Sequence, residues 1–259
     1  MSEQRDGGSG RNGYEGFFTG LSLDLWRQAT SEDQSEAEAA FLAEIFGNPD
    51  AGGGTELLDT PCGNGRHARR LAALGYGVTA ADLSEEFLAE GRELAARDGV
   101  AIDWQLRDMA DLPWPERFAG AYCLGNSFGY RDHAGMLDYL KAVAAALKPG
   151  GRFVLDNAMS AESLLPNLEE RVWAEVGDII LLAQNDYVPE ESRLDTCFTF
   201  VRDGAVEERN VSHWIFTVAE QHRMLETAGF KVLEFFANVA GSPFEAGSPE
   251  LVLVAEKSK

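Results

Sequence analysis

From Glu56 to Asp156 short apolar runs alternate with amphipathic helical stripes, and this alternation constrains the fold more than any other feature of the chain. Glu56–Asp59, Gly77–Asp82, Ile102–Arg107, Phe118–Leu124 and Arg152–Asp156 read as strands. Between them lie helical faces: Ala68, Leu71 and Ala72; then Phe87, Leu88, Leu94 and Ala95, capped by Ser84; then Met136, Leu140, Val143, Ala144 and Leu147. A chain of this kind buries its strands in a mostly parallel sheet with helices on both faces. Right-handed crossovers then bring the loops that follow the strands to one edge, where ligands bind.

The flanks differ. Ser35-Glu36-Ala37-Glu38 has capping-box spacing ahead of Phe41, Leu42, Ile45 and Phe46, and Gly47 and Pro49 stop that helix. After about residue 165 the helices disappear. Arg171–Val176, Asp178–Tyr187, Leu194–Arg202 and Val206–Phe216 read as successive strands, with a hairpin turn at Asp203-Gly204. Thr217–Glu220 is a second capping box, its helix ends at Gly229, and Phe230–Phe236 and Leu251–Ala255 are the last strands. The expected organisation is an N-terminal segment (1–35), an α/β domain (36–160 with 216–259) and an antiparallel insertion (161–215) serving as lid or dimer interface.

Charge narrows the partners. Among 259 residues 43 are acidic and 22 basic, a formal net charge of -21. Such a surface repels phosphate backbones and anionic membranes, so neither nucleic acid nor a membrane is expected as a partner. No apolar run approaches the roughly 18 residues of a membrane span. The start, MSEQRDGGSGRNGYEG, lacks the apolar core of a secretory signal and reads as a flexible lead-in. Cys62, Cys123 and Cys197 are odd in number and widely spaced, as expected of reduced thiols in a cytoplasmic protein, and no metal-ligand cluster is visible.

The chemistry concentrates in Leu58-Asp59-Thr60-Pro61-Cys62-Gly63-Asn64-Gly65-Arg66-His67. A strand ends, a glycine turn follows and a helix begins, so backbone and free N–H groups can approach a ligand. Asp82 closes the next strand, where a carboxylate accepts from both hydroxyls of a ribose. Gly63-x-Gly65-x-x-Ala68 also fits a dinucleotide fingerprint. Asp59, however, would repel a pyrophosphate and suits a ligand bearing an ammonium and a sulfonium. Asp108-Met109, after the third strand, can accept from and donate to an adenine edge.

The pieces LLDTPCGNGRHARRLA, GVTAADLS, RDMADLP, FAGAYCLGNSFGY and LKPGGRFVLD, in this order, resemble the class I S-adenosylmethionine (SAM)-dependent methyltransferases. The resemblance runs from about Phe41 to Asp156 and resumes at Thr217. It implies a seven-stranded Rossmann-like sheet with the last strand antiparallel. It implies that Asp59, Gly63 and Gly65, with Asn64 and Arg66 in the same turn, hold the methionine part of SAM. Asp82 would hold the ribose, Leu83 would pack on the adenine, and Asp108 and Met109 would read it. Leu124, Gly125 and Asn126 would lie beside the sulfonium. The departure is Thr60-Pro61-Cys62, where many members have glycine or alanine before the Cys-Gly; Pro61 supplies no N–H, which shifts the turn's donors to Gly63 and Asn64.

On the acceptor side, Ser127 and Phe128 are expected to touch the substrate, with Asn157 after the fifth strand, and Tyr130 to orient or deprotonate an amine. His213, near the end of the insertion, is a second candidate base. Tyr14, Phe17, Phe18, Trp26 and Arg27 belong to a segment that the family folds over the cofactor, with Arg27 meeting a carboxylate. His67 reads as packing or capping, and His133 and His222 as surface residues. The expected function is methyl transfer to a small molecule, at nitrogen first and oxygen next, with no metal and with a homodimer compatible with the insertion. The rival readings are a non-catalytic SAM-binding protein on the same fold and an NAD(P)-dependent oxidoreductase, the latter without a Tyr-x-x-x-Lys pair.

Overall fold

The computed structural model describes Tyr14, residues 16–49 and residues 54–259. The expected flexible lead-in falls, over residues 1–13, outside the described residues. The chain folds as two compact units, one holding residues up to Ala29 with Glu169–Trp214, the other Thr30–Leu168 with Ile215–Lys259.

In the smaller unit helix α1 (Gly20–Ala29) buries Leu21, Leu23 and Leu25. In the larger unit α2 (Glu32–Phe46) starts one turn earlier than the sequence suggests. Ser31, not Ser35, is the N-cap, its side chain accepting from the Gln34 N–H. Ser35 lies inside the helix and is buried.

The alternation then runs as expected: β1 (Glu56–Asp59), α3 (Arg66–Ala73), β2 (Gly77–Asp82), α4 (Glu85–Asp98), β3 (Asp103–Leu106), β4 (Phe118–Cys123), α5 (His133–Ala146) and β5 (Leu147–Asn157). Ser84 caps α4 by accepting from the Phe87 N–H, and Asp132 caps α5. After the short helix α6 (Ala161–Leu164) come four strands of the smaller unit: β6 (Arg171–Val176), β7 (Ile179–Val188), β8 (Arg193–Arg202) and β9 (Ala205–Trp214). They form one antiparallel sheet in sequence order. Asp203 and Gly204 both take positive φ, as the two-residue hairpin between β8 and β9 requires. The chain returns to the larger unit with α7 (Val218–Thr227), whose Thr217–Glu220 capping box is closed from both sides, and ends in β10 (Phe230–Phe236) and β11 (Leu251–Lys257).

The large sheet has the order β10-β11-β5-β4-β1-β2-β3. Strands β1 to β5 are parallel, and β11 runs antiparallel to both β5 and β10. Leu57, Leu58, Tyr122, Phe153 and Val154 have no exposed surface, because central parallel strands are covered on both faces. The chain winds outward from β1 through β2 to β3 on one side, and through β4 to β5 on the other. The carboxyl ends of β1 and β4 therefore flank a topological switch point, where the loops diverge and leave a crevice.

Candidate active site

Each strand around the switch point delivers a carboxylate or a glycine turn to this edge: Asp59 from β1, Asp82 from β2, Gly125-Asn126 beyond β4 and Asp156 from β5.

The two glycines of the first turn have different duties. Gly63 takes φ +55°, and a Cβ there would meet nothing within 4 Å. Gly65 takes φ +70°, but a Cβ on it would come 2.3 Å from Cη2 of Trp104. A Cβ on Gly91 of α4 would come within 2.5 Å of the same indole. Gly65 is therefore required for packing as well as for its dihedral, whereas Gly63 opens on free space. Gly125, at φ +104°, is the counterpart of Gly63 beyond β4, with nothing within 4 Å of its Cβ position.

Asp82 organises the turn. Its Oδ2 accepts from the Gly63 N–H at 2.8 Å and its Oδ1 from the Ser84 N–H at 2.8 Å. Burial pushes its pKa up, and these N–H groups offset part of that. A carboxylate oxygen has two lone pairs, so each still has one for an incoming hydroxyl. The geometry suits a vicinal diol. It also commits the Gly63 N–H, which a pyrophosphate-binding turn would present to its ligand. Leu83, next in sequence, is 43% exposed, a free apolar face beside the carboxylate.

Asp59 is buried, and its Oδ2 has no hydrogen-bond partner among the described residues. Burial pushes its pKa well above the ordinary range; the neighbouring Tyr122 phenol and the Arg66 charge oppose the rise and Asp82 adds to it. A buried carboxylate beside an open glycine turn, with only the Tyr122 phenol close to its Oδ2, is suited to a cationic donor. Arg66 itself is engaged on α2, where it pairs with Glu38 and donates to Ser35 Oγ at 3.2 Å. Glu38 also holds His67, Nε2 to Oε2 at 2.7 Å. Burial raises the Glu38 carboxyl, but the His67 hydrogen bond and the Arg66 charge bring it down to about 2. Burial takes His67 to about 4. Its expected packing role thus has a definite partner, and Glu38, which the sequence offered only as the last residue of a capping box, binds Arg66 and His67 instead.

Asp156, the last residue of LKPGGRFVLD, was given no role at the sequence level. Its two oxygens accept from the N–H groups of Gly125 (2.8 Å) and Asn126 (2.7 Å), and Asn126 Oδ1 accepts from the Ala158 N–H at 2.9 Å. The loops after β4 and β5 are thereby tied together, and Asn126 is held at φ +62°. Burial pushes Asp156 up to about 6, and Glu250, just ahead of β11, to about 7 with Asp156 adding to the shift. The signal available was positional: Asp156 lies one residue from the end of β5, as Asp59 and Asp82 end β1 and β2.

Several expected site residues have partners within the protein. Phe128 has no exposed surface and packs edge-on against Phe216. Asn157 is likewise fully buried. It donates to Gln221 Oε1 at 3.2 Å and accepts from the Met159 N–H, fastening β5 to α7. Asp108 pairs with Arg131 and accepts from the Ala110 N–H, and Met109 is buried beside it. Asn64 donates to Glu90. Leu124 is buried and Ser127 half-buried. Tyr130 is 9% exposed, and burial raises its phenol far enough that it keeps its proton at neutral pH.

The remaining candidates lie in the smaller unit. Tyr14 is half-buried, and its carbonyl accepts from the Phe17 N–H. Trp26 on α1 is 40% exposed. Arg27 pairs with Asp24, which also pairs with Arg202 of β8. His213 on β9 stands opposite Leu194 of β8, and burial takes it to about 4, so it is neutral. Among the described residues no group of three or more His, Cys, Asp or Glu is arranged to hold a metal. No helix among them is long and apolar enough to cross a membrane.

Residues 57–151 match the family described as a methyltransferase domain. A ubiquinone biosynthesis O-methyltransferase of Xanthomonas euvesicatoria is 32% identical over 104 residues, 39% of this chain and 42% of that protein. The chain thus aligns with less than half the length of the curated relatives it first matches. Among solved structures, the CcbJ methyltransferase of Streptomyces caelestis has a TM-score of 0.79 at 21% identity, covering 97% of this chain and all of that one. A sugar N-methyltransferase from a Streptoalloteichus species has a TM-score of 0.69 at 19% identity, covering 100% and 98%. The fold is that of the class I SAM-dependent methyltransferases.

Proposed function

We propose that this chain transfers a methyl group from SAM to a small-molecule acceptor, at nitrogen in the first instance and at oxygen next. The observation that carries the reading is the Asp82 carboxylate, braced by two N–H groups with one lone pair left on each oxygen, beside the open Gly63 turn. Asp82 takes the ribose hydroxyls and Leu83 covers the adenine. Asp59, buried beside the Tyr122 phenol, faces the ammonium end. Asp108 keeps acceptor capacity for an adenine amino group although it also holds Arg131.

SAM supplies a methyl carbon already activated by positive sulfur, so alignment and desolvation of the nucleophile are the protein's share of the work. The Gly125-Asn126 backbone, fixed by Asp156, sets one wall where the acceptor meets that carbon. Tyr130 keeps its phenolic proton and orients the acceptor, its oxygen accepting from an amine N–H so that the nitrogen lone pair stays free for the methyl carbon. A neutral amine needs nothing further, which is why nitrogen leads. The Streptoalloteichus neighbour is a sugar N-methyltransferase and the Xanthomonas relative an O-methyltransferase, so both acceptor atoms are represented among such proteins.

The test is thermal unfolding with SAM, S-adenosylhomocysteine, NAD and NADP, followed by turnover of methyl-labelled SAM with panels of amines and phenols. At about 100 times its dissociation constant a ligand adds roughly 2.7 kcal/mol. Stabilisation by the first two ligands alone, with label transferred to an amine, supports the proposal. Stabilisation by NAD or NADP alone refutes it, and binding of SAM without turnover of any acceptor leaves a non-catalytic SAM-binding protein.

A further inference from the structure

The smaller unit has an unguarded sheet edge. Strand β6, Arg171-Val172-Trp173-Ala174-Glu175-Val176, pairs only with β7 among the described residues, and five of its six residues are exposed. Trp173 is 70% exposed, the most exposed large apolar side chain among the described residues. Edge strands of this kind are normally blunted by proline, a bulge, a covering segment or inward charge. Strand β10, at the edge of the other sheet, has a register shift between Val232 and Glu234. At the opposite edge of the small sheet, Glu207 and Arg209 of β9 are engaged by the chain at Thr19–Leu21. Among the described residues strand β6 has no proline and no bulge and pairs with no strand besides β7; helix α1 approaches it, and its only charges are Arg171 and Glu175.

The hydrogen-bond phase of this edge can be read from its neighbour. The Asn185 N–H donates to the Glu170 carbonyl at 2.8 Å, which makes Glu170 and Asn185 a hydrogen-bonded pair. Along an antiparallel ladder such pairs alternate with non-bonded ones. The N–H and C=O groups of Arg171, Trp173 and Glu175 therefore point away from β7, toward the open edge. The same three side chains share one face of the sheet. Trp173 lies opposite Leu182 and Glu175 opposite Ile180; Ile180 lies opposite Val201, and Val201 opposite Val206. Leu182, Ile180 and Val206 on this face are 45%, 41% and 61% exposed.

We propose that β6 pairs antiparallel with β6 of a second copy of this chain, across a twofold axis at Trp173. The sequence is self-complementary in that register alone. Trp173 meets its own symmetry mate, and Arg171 of each copy lies directly opposite Glu175 of the other. All three outward-facing residues then fall in hydrogen-bonded pairs, and two four-stranded sheets become one of eight. The Arg171–Glu170 approach within one copy, 3.8 Å at two highly exposed side chains, is too weak to compete. A strand from an unrelated protein has no reason to present glutamate, tryptophan and arginine at this spacing, whereas a twofold-related copy must. This pairing is independent of the methyltransferase reading.

The experiment is sedimentation velocity of the full chain over a concentration series, for wild type, R171E, E175R and the double variant R171E/E175R. The substituted positions are exposed, and circular dichroism checks that each variant is folded. Wild type is expected to dimerise. Each single variant replaces two opposite-charge pairs by two like-charge pairs and raises the dimer dissociation constant about tenfold or more. The double variant recovers the wild-type constant, and an equimolar mixture of the two single variants associates more tightly than either alone. A wild type that stays monomeric throughout, or a dimer that neither single variant weakens, overturns the proposal. So does a double variant that fails to recover.

Discussion

Replacing Asp82 by asparagine separates a ligand-binding carboxylate from a mere brace of the turn. The wild-type oxygens each accept one N–H, from Gly63 and from Ser84, at 2.8 Å. An amide of the same shape offers one acceptor and one donor, so one of those N–H groups then faces an NH2. An unsatisfied N–H costs about 1–3 kcal/mol when buried, and this half-buried site lies toward the lower end. Apo stability should therefore fall by about 1 kcal/mol. Ligand affinity should fall further. Two hydroxyl donors lose a charged acceptor, and hydrogen bonds to charged groups contribute about 1.5–3 kcal/mol each against about 1 for neutral ones. The net loss is about 1.5–3 kcal/mol, or roughly 10- to 100-fold in the dissociation constant of S-adenosylhomocysteine. Isothermal titration calorimetry reads the affinity, and urea unfolding reads the apo stability. A variant that is destabilised yet binds S-adenosylhomocysteine as tightly as wild type would show that the carboxylate only shapes the turn, and the ribose assignment would be wrong.

Other perturbations test neighbouring parts of the site. Gly65→Ala drives a Cβ into Trp104 at a positive φ and should cost about 2–5 kcal/mol of apo stability, whereas Gly63→Ala meets open space and costs about 1–2 kcal/mol from its positive φ alone while abolishing S-adenosylhomocysteine binding; urea titration and calorimetry separate the two. His67 titrates at about 4 in the folded chain, below its unfolded value of about 6.5, so its contribution to stability is present above pH 6.5 and lost as pH falls toward 4. The stability of wild type relative to His67→Gln should accordingly decline across that window, and a difference independent of pH would contradict the buried neutral imidazole. Asp156→Ala strands the N–H groups of Gly125 and Asn126 and should lower kcat more than it raises KM for SAM, because it loosens the wall at the methyl carbon. Tyr130→Phe should lower kcat by about 10- to 100-fold without removing a step from the pH–rate profile between pH 6 and 9, since the phenol does not ionise there; a lost step would make Tyr130 a base.

The parallel half of the fold was legible because its signals are local and redundant. Each strand is an apolar run, each helix has a stripe, and Ser84, Thr217 and the Asp203-Gly204 turn punctuate them where the structure does. Ser35 misled because Ser31 precedes it in the same helix with an equally good capping oxygen, and four residues of sequence cannot rank two caps. The strand-end carboxylates were readable from position alone. What position could not give was the partner of each polar group. Asn157 and Phe128 follow strands at the ligand-binding edge, yet Gln221 and Phe216, more than sixty residues away in sequence, draw them into the core. Glu38 has the same origin: its importance comes from Arg66 and His67 arriving beside it, a tertiary fact with no trace in its own helix.

The most direct test of the site is a crystal structure of the chain with S-adenosylhomocysteine. The expected result is both ribose hydroxyls within hydrogen-bonding distance of Asp82, the adenine against Leu83 and Asp108, and the amino-acid end of the ligand alongside Gly63 and Asp59. A ligand bound elsewhere, or one whose ribose lies away from Asp82, would contradict it.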